Sequence, residues 1–321
     1  MAQTIQQIYD LVIAGGRKND PRTKKEIDVQ LKEAREAYKK LDKKKKPYFD
    51  KDRLKNPYAD SRVIYGKMST KVKTLFACID AEVQEILLVN ELNKQGEKID
   101  LIFTHHPEGL ALMDLTKVMP IQEAVMGDLG VPINVTEKLL DPRAKKIDRA
   151  LHADNFNRVA DAARLMEIPF MNCHTPADNY VHKYLEKFVK EKRSKMRYLK
   201  DLTEALLDIP EFAMGAKMNS APVVVAGSPS SKLGKVAVTG MTGGTSGNED
   251  IYEALNKAGV STILAMHMSE AHREKAEKQY LNIIVTGHMS SDSLGMNLIL
   301  DQLEKKKVKV ISGGGLLRVK R

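Results

Sequence analysis

Apolar residues recur along this chain at two different periods. Over 24–41, Ile27, Leu31, Ala34, Tyr38 and Leu41 return every three or four positions with acids and bases between them, which predicts an amphipathic helix, and residues 3–14 predict another. The charged, proline-bearing stretch 42–60 reads as a boundary. From Val72 the period shortens: residues 72–79 form an apolar run expected to be a buried strand, Glu82 to Lys94 a helix closing at Gly96, and residues 99–104 a second strand. Strand, helix, strand is the repeating unit of a parallel or mixed α/β sheet.

The same unit returns near the C-terminus. Residues 235–240 predict a strand, Glu249 to Lys257 a helix closing at Gly259, and 262–266 a strand; Leu92-Asn93-Lys94-Gln95-Gly96 in the first copy lines up with Leu255-Asn256-Lys257-Ala258-Gly259 in the second. Further on, 168–173 runs into His174-Thr175-Pro176-Ala177-Asp178, and 283–287 runs into His288-Met289-Ser290-Ser291-Asp292. Each is a strand ending in His-x-x-x-Asp before a helix. The expected fold class is therefore α/β, with two related α/β lobes whose strand ends meet in a cleft, plus an N-terminal helical extension.

The expected domains are 1–60 as a basic helical extension, 61–205 as the first lobe and 206–321 as the second. The first carries a helical insertion over 108–166, with helices at 121–126 and 142–165. Residues 185–200 predict a basic helix, followed by a connector through Pro210 and Gly215. The Ser312-Gly313-Gly314-Gly315 run reads as a turn before the last strand.

Composition narrows the class. The chain has 321 residues, 42% hydrophobic and 29% charged, enough to bury a core and unlike a disordered or fibrous protein. Cys78 and Cys173 both sit in apolar runs and predict buried thiols rather than a disulfide framework. No run approaches a membrane helix or the apolar core of a signal peptide, so a cytoplasmic protein with no membrane partner is expected. The net charge of +10 is concentrated early: residues 1–60 hold 16 Lys and Arg against 10 Asp and Glu. Lys39, Lys40 and Lys43 to Lys46 form a dense run, a solvated surface or a contact for nucleic-acid phosphates.

Candidate chemistry lies in the histidines. His105, His106, His174, His267 and His288 all follow expected strands, and the carboxyl ends of strands are where ligands bind in open α/β sheets. Imidazole and carboxylate are the usual ligands of zinc, iron and manganese, and adjacent histidines at the reversal supplied by Pro107 can send one ring to each of two ions. Residues four apart share a helix face, so the pairs His174 with Asp178 and His288 with Asp292 can address one pocket. His105 and His106 also fit a reading as buried core histidines, and His174 one as a residue that orients a ligand without binding metal. His267, Glu270 and His272 read as cleft wall or polar loop, and His152 and His182 as surface residues. The Gly243-Gly244-Thr245-Ser246-Gly247-Asn248 turn fits either an anion cradle or a plain strand-to-helix turn.

Three segments carry a family resemblance: Asp100-Leu101-Ile102-Phe103-Thr104-His105-His106-Pro107, His174-Thr175-Pro176-Ala177-Asp178, and Thr286-Gly287-His288-Met289-Ser290-Ser291-Asp292. In order and setting they resemble the motifs of the NIF-three-like family, often labelled GTP cyclohydrolase I type 2 homologues. The resemblance covers about residues 65–110 and 165–321. It implies that His105, His106, Asp178, His288 and Asp292 hold a dinuclear centre of two divalent ions (zinc, iron or manganese), with Asp178 as the bridge; His174 is kept as a candidate that orients a ligand from behind. It also implies a homo-oligomer, usually a hexamer. Asp292 stands where the family usually has Glu, the interval from His106 to His174 is longer than usual, and residues 1–60 have no counterpart in most members.

Two functions follow as expectations. The first is a metal-dependent hydrolase using metal-activated water on a nucleotide or pterin-like substrate. The second is a non-enzymatic, metal-binding oligomeric scaffold or metal-handling protein that docks through Lys39–Lys46.

Overall fold

The computed structural model describes residues 2–321. The chain opens with β1 (Gln3–Thr4), α1 (Ile5–Asn19) and α2 (Lys24–Lys40), then runs through 3-10 turns to β2 (Val63–Tyr65), β3 (Lys71–Val72), β4 (Thr74–Cys78), α3 (Val83–Lys94) and β5 (Leu101–Thr104). Next come the helices α4 (Leu110–Met113), α5 (Ile121–Leu129), α6 (Ile133–Leu151) and α7 (Arg158–Leu165), followed by β6 (Phe170–Asn172) and α8 (Thr175–Lys192). The rest comprises α9 (Leu199–Leu206), α10 (Pro210–Lys217), β7 (Val223–Ala226), β8 (Val236–Val238), α11 (Ile251–Lys257), β9 (Thr262–Ala265), α12 (Glu270–Lys278), β10 (Asn282–Val285), α13 (His288–Lys305) and β11 (Lys309–Ser312).

Two main sheets result, ordered β11–β4–β5–β6–β2 and β8–β9–β10–β7. The first has four parallel strands and the second three, and in each the last parallel strand takes one antiparallel neighbour, β2 on β6 and β7 on β10. The shared topology is what the internal repeat in the sequence predicts. Both sheets are mixed and largely apolar at their centres: β4, β5 and β9 are buried at every position. Such strands must be covered on both faces, which is why their sequences read as unbroken apolar runs instead of alternating.

Helices α8 and α13 occupy equivalent places after β6 and β10 and pack on one another. Small residues allow this. A Cβ on Gly295 of α13 would lie 2.4 Å from the carbonyl oxygen of Ala177 and 2.8 Å from Val181, so only glycine lets the two backbones meet.

The N-terminal segment is built into the first lobe and is not an appended extension. Ile5, Ile8, Tyr9, Val12 and Ile13 of α1 are buried with Leu75, Phe103 and Met296 in one core. Reciprocal capping starts α1: Gln7 N–H donates to Thr4 Oγ1 (3.2 Å) and Thr4 N–H to Gln7 Oε1 (2.9 Å). By contrast, Lys39, Lys40 and Lys43 to Lys45 are exposed.

Three other expectations change. Pro142 lies inside α6, which begins at Ile133 and is separate from α7. The basic helix is the end of α8, which stops at Lys192. The last strand precedes the Gly313–Gly315 turn: β11 returns from the second lobe and pairs with β4 in parallel, so residues 309–312 belong to the first sheet. Cys78 and Cys173 are buried and unpaired. Among the described residues no helix is long and apolar enough to cross a membrane.

Candidate metal centre

Register brings the chemistry together. Cys78 lies opposite Thr104, and Thr104 opposite Asn172, so Asp80, His105-His106 and His174 leave the first sheet side by side. In the second sheet Ala265 pairs with Val285, which sends His267 and His288 out at the facing edge. Asp178 and Asp292 follow one helical turn into α8 and α13.

Ring nitrogens and carboxylate oxygens form three overlapping groups whose atoms lie within 4.8 Å of one another: His105, His106 and His174; His106, His288 and Asp292; His105, Asp178 and Asp292. Asp292 links two of them. Its Oδ1 stands 3.5 Å from His105 Nε2, while its Oδ2 stands 3.4 Å from both His106 Nε2 and His288 Nε2. Asp178 Oδ1 is 3.4 Å from His105 Nε2, and its Oδ2 is 3.7 Å from His174 Nε2. These separations are long for hydrogen bonds.

The opposite nitrogen of three rings is tied down. His105 Nδ1 is 3.0 Å from the Cys173 carbonyl, His106 Nδ1 is 2.6 Å from Asp80 Oδ1, and His174 Nδ1 is 2.8 Å from Asp60 Oδ2. Each contact holds a proton on Nδ1 and turns Nε2 toward the cleft, the arrangement typical of metal-ligating histidines. His174 therefore stands as His105 and His106 do, with a ring nitrogen of its own in the cluster.

Charge and burial support the same assignment. His105 Nε2, Asp178 Oδ1 and both Asp292 oxygens are buried without a hydrogen-bond partner. Unpartnered buried polar atoms are costly, and several converging on one point fit a cation. Burial alone would lower the pKa of His105, but the carboxylates of Asp292 and Asp178 outweigh it and hold the ring well above its usual value. His106 is likewise pushed up to about 9 against its own burial, by Asp292 and Asp80. Burial would raise the Asp292 carboxyl, yet the surrounding imidazoles hold it far below the usual carboxylate range. Positive charge is thus required among these groups, whether as imidazolium protons or as metal ions. Imidazole and carboxylate donors in this number suit zinc, iron or manganese.

A cleft of about 420 Å3 opens over the cluster, walled by Pro107, Leu112, Leu115, Met241 and Met266, with His267 at its side. The His267 and His288 ring centroids lie 4.5 Å apart. Glu108 also faces the cleft; burial, then Glu82 and Asp80, push its carboxyl up to about 7.

A family profile, Duf34/NIF3 (NGG1p interacting factor 3), matches residues 140–313. The chain belongs to the Duf34/NIF3 family. Its fold agrees with that of a NIF3 superfamily protein from Sphaerobacter thermophilus, 28% identical, over 82% of this chain and 94% of that one, with a TM-score of 0.69. Looser similarity extends to reduced HcgD from Methanocaldococcus jannaschii, 12% identical over 78% of this chain and 87% of that one, TM-score 0.47. A search of curated proteins finds no match. Of the residues expected to form the site, His105, His106, Asp178, His288 and Asp292 all lie in the cluster, and so does His174. Asp60, Asp80 and Glu108 were not anticipated. Asp80 had a signal, its place directly after a strand; Asp60 lies in the stretch that read as a boundary.

Proposed function

We propose that the cleft holds two divalent ions and that the protein is a metal-dependent hydrolase acting on a small molecule. One observation carries this reading: the two oxygens of Asp292 face different histidine groups. His105, Asp178 and Asp292 Oδ1 would hold one ion, with His174 beside Asp178, and His106, His288 and Asp292 Oδ2 the other. In this reading Asp292 is the bridge, in place of Asp178. Bound there, the ions would supply Lewis-acid activation of water and stabilise charge on the substrate. The chain's own contribution is orientation and exclusion. Asp60, Asp80 and the Cys173 carbonyl hold the rings, and the apolar wall strips water from a substrate lying over them.

A nucleotide or pterin-like substrate, expected from the resemblance, would rely on the ions for charge recognition, because the residues lining the cleft include no lysine or arginine. Assembly into a homo-oligomer, hexameric by resemblance, is part of the same reading and is checked by light scattering.

Elemental analysis of the purified protein tests the proposal. Two transition-metal ions per chain are expected, falling sharply in His105→Ala, and Asp178→Asn should lose turnover without losing assembly. Protein that takes up no metal after reconstitution would overturn it.

A second reading, a metal-binding scaffold, has its own observation. Lys39, Lys40 and Lys43 to Lys45 are exposed, and none has an acidic partner within ion-pair distance among the described residues. Such a surface suits a polyanion such as nucleic acid, in a contact weakened by salt. Neutralising Lys43 to Lys46 should abolish partner binding if this reading holds and leave turnover intact if the first does.

A further inference from the structure

Beside the metal cleft lies a second, smaller cavity of about 60 Å3. Its floor is apolar, formed by Met126, Leu139, Leu140, Ile251, Leu255 and Ala265. Gly240, Thr245, Ser246 and His267 line both spaces, so the two adjoin along a shared rim.

The loop that forms this rim is held in place by the helical insertion. Gln122 of α5 donates from Nε2 to the carbonyls of Gly243 (2.9 Å) and Thr245 (2.7 Å). Its side chain packs so closely that a Cβ on Gly243 would lie 2.6 Å from Gln122 Cγ, and one on Gly247 2.6 Å from Gln122 Oε1. From α6, Arg143 Nε donates to the Ser246 carbonyl (3.2 Å), and Asn248 Nδ2 donates back to the Leu139 carbonyl (3.2 Å). The glycine-rich loop is thus held open against its neighbours instead of collapsing into the space beneath it.

One polar atom in the cavity is unsatisfied. Thr136, on α6, is 1% exposed, lines the cavity, and its Oγ1 has no hydrogen-bond partner. The Tyr252 hydroxyl, also in the lining, is already paired with His272 Nδ1 at 2.8 Å. A buried hydroxyl without a partner points to a group that the chain does not itself provide.

We propose that this cavity is the side-group subsite of the metal cleft. It takes an apolar group of roughly four to six heavy atoms, a branched alkyl chain or one small ring, bearing one hydrogen-bonding group that pairs with Thr136. The polar remainder of the ligand lies over the histidines. The assignment rests on the cleft being the substrate site, and it defines the substrate class by shape: a bicyclic purine or pterin ring is too large for this space. It also gives the 108–166 insertion a role in choosing the substrate.

The probe is a graded series of primary amides, from acetamide through propionamide and isobutyramide to pivalamide, followed by the bicyclic naphthamide. Each is titrated into the full-length, metal-loaded protein, with the methyl NMR signals of Met126 and Met268, both in the lining, as the readout. Affinity should rise about fourfold per added carbon up to pivalamide and collapse for naphthamide, with both methionines shifting. Ala265→Leu, or Leu140→Phe should the first variant fold poorly, fills the space and should flatten the series. Thr136→Val should weaken every amide while keeping the rise with size. A flat series in the wild type, or shifts unaffected by both filling variants, would overturn the proposal. So would a crystal soaked in pivalamide that shows only ordered water on Thr136. Metal content of the same samples separates the two readings: size-graded binding in protein that takes up no metal sinks the hydrolase and the subsite's link to it, leaving the cavity a ligand site only, whereas metal with a flat series sinks the subsite alone.

Discussion

Asp60 accepts two hydrogen bonds on one oxygen, from His174 Nδ1 at 2.8 Å and from Thr175 Oγ1 at 2.6 Å, and is itself completely buried. The carboxylate therefore fixes both the plane and the tautomer of the His174 ring. Carboxylates behind ligating histidines typically carry 10- to 100-fold in metal affinity. Asp60→Asn should cost metal affinity in that range, read by competition with a chelator. Asp80→Asn should cost less, because that carboxylate is 68% exposed and water can replace it. Equal affinities in wild type and Asp60→Asn would remove His174 from the centre.

Gly295 sets the distance between the two helices that present Asp178 and Asp292. In Gly295→Ala the new methyl meets the Ala177 carbonyl, so α8 and α13 must part. Overpacking of this kind costs about 1–3 kcal/mol, and the two carboxylates should separate with it. Thermal melts and metal titration should both show the loss. A variant that melts normally and still fills its site would mean the helices do not determine the spacing.

Stability of the metal-stripped protein should fall as pH rises from about 6.5 to about 9. The sign follows from His106, whose folded pKa is raised from 6.5 to about 9: its contribution is complete below 6.5 and is lost on passing through 9. His105, also raised, acts in the same direction. Asp292, with a depressed pKa, contributes above its unfolded value of 3.8 and loses that contribution only in acid. The metal-loaded protein should show the reverse trend over the neutral range, because metal competes with protons for the same nitrogens. Melting temperatures against pH, with and without chelator, check this; a flat chelated curve between pH 6.5 and 9 would refute it.

The C-terminal tail is anchored on a buried carboxylate. Glu211, fully buried, receives Arg321 through two bonds of 2.7 and 2.6 Å and Asn297 Nδ2 at 2.8 Å. Arg321→Ala would leave this charge with a single amide partner and should destabilise by about 1.5–3 kcal/mol, measured by denaturant unfolding. An unchanged midpoint would show that water takes the arginine's place.

What was legible in the sequence follows from physical range. Strand ends carrying His-His-Pro and His-x-x-x-Asp could be read because an apolar run and the polar residue after it are local signals. Asp60 could not, since its partner His174 is remote in the chain and nothing near Asp60 marks it as more than a charged turn. Helix α1 read as an extension because its apolar stripe says that a face is buried without saying against what. The glycine run before Leu316 looks like a turn into a strand, yet its role is close approach: a Cβ on Gly313 would lie 2.5 Å from the Phe76 ring, and the Gly314 carbonyl accepts from Ile79 and Asp80 N–H. Those glycines support the loop that holds His106 through Asp80.

Because β11 is laid against β4 only after the second lobe has been traversed, synthesis imposes an order on this protein. While residues 309–312 are still inside the ribosome, β4 is an open sheet edge, with backbone N–H and C=O groups free to pair with any other strand. The emerging chain therefore carries its candidate first-lobe ligands, His105, His106 and Asp178, on an incomplete sheet until residues 309–312 have emerged, and its exposure to misassembly lasts as long as that edge stays open.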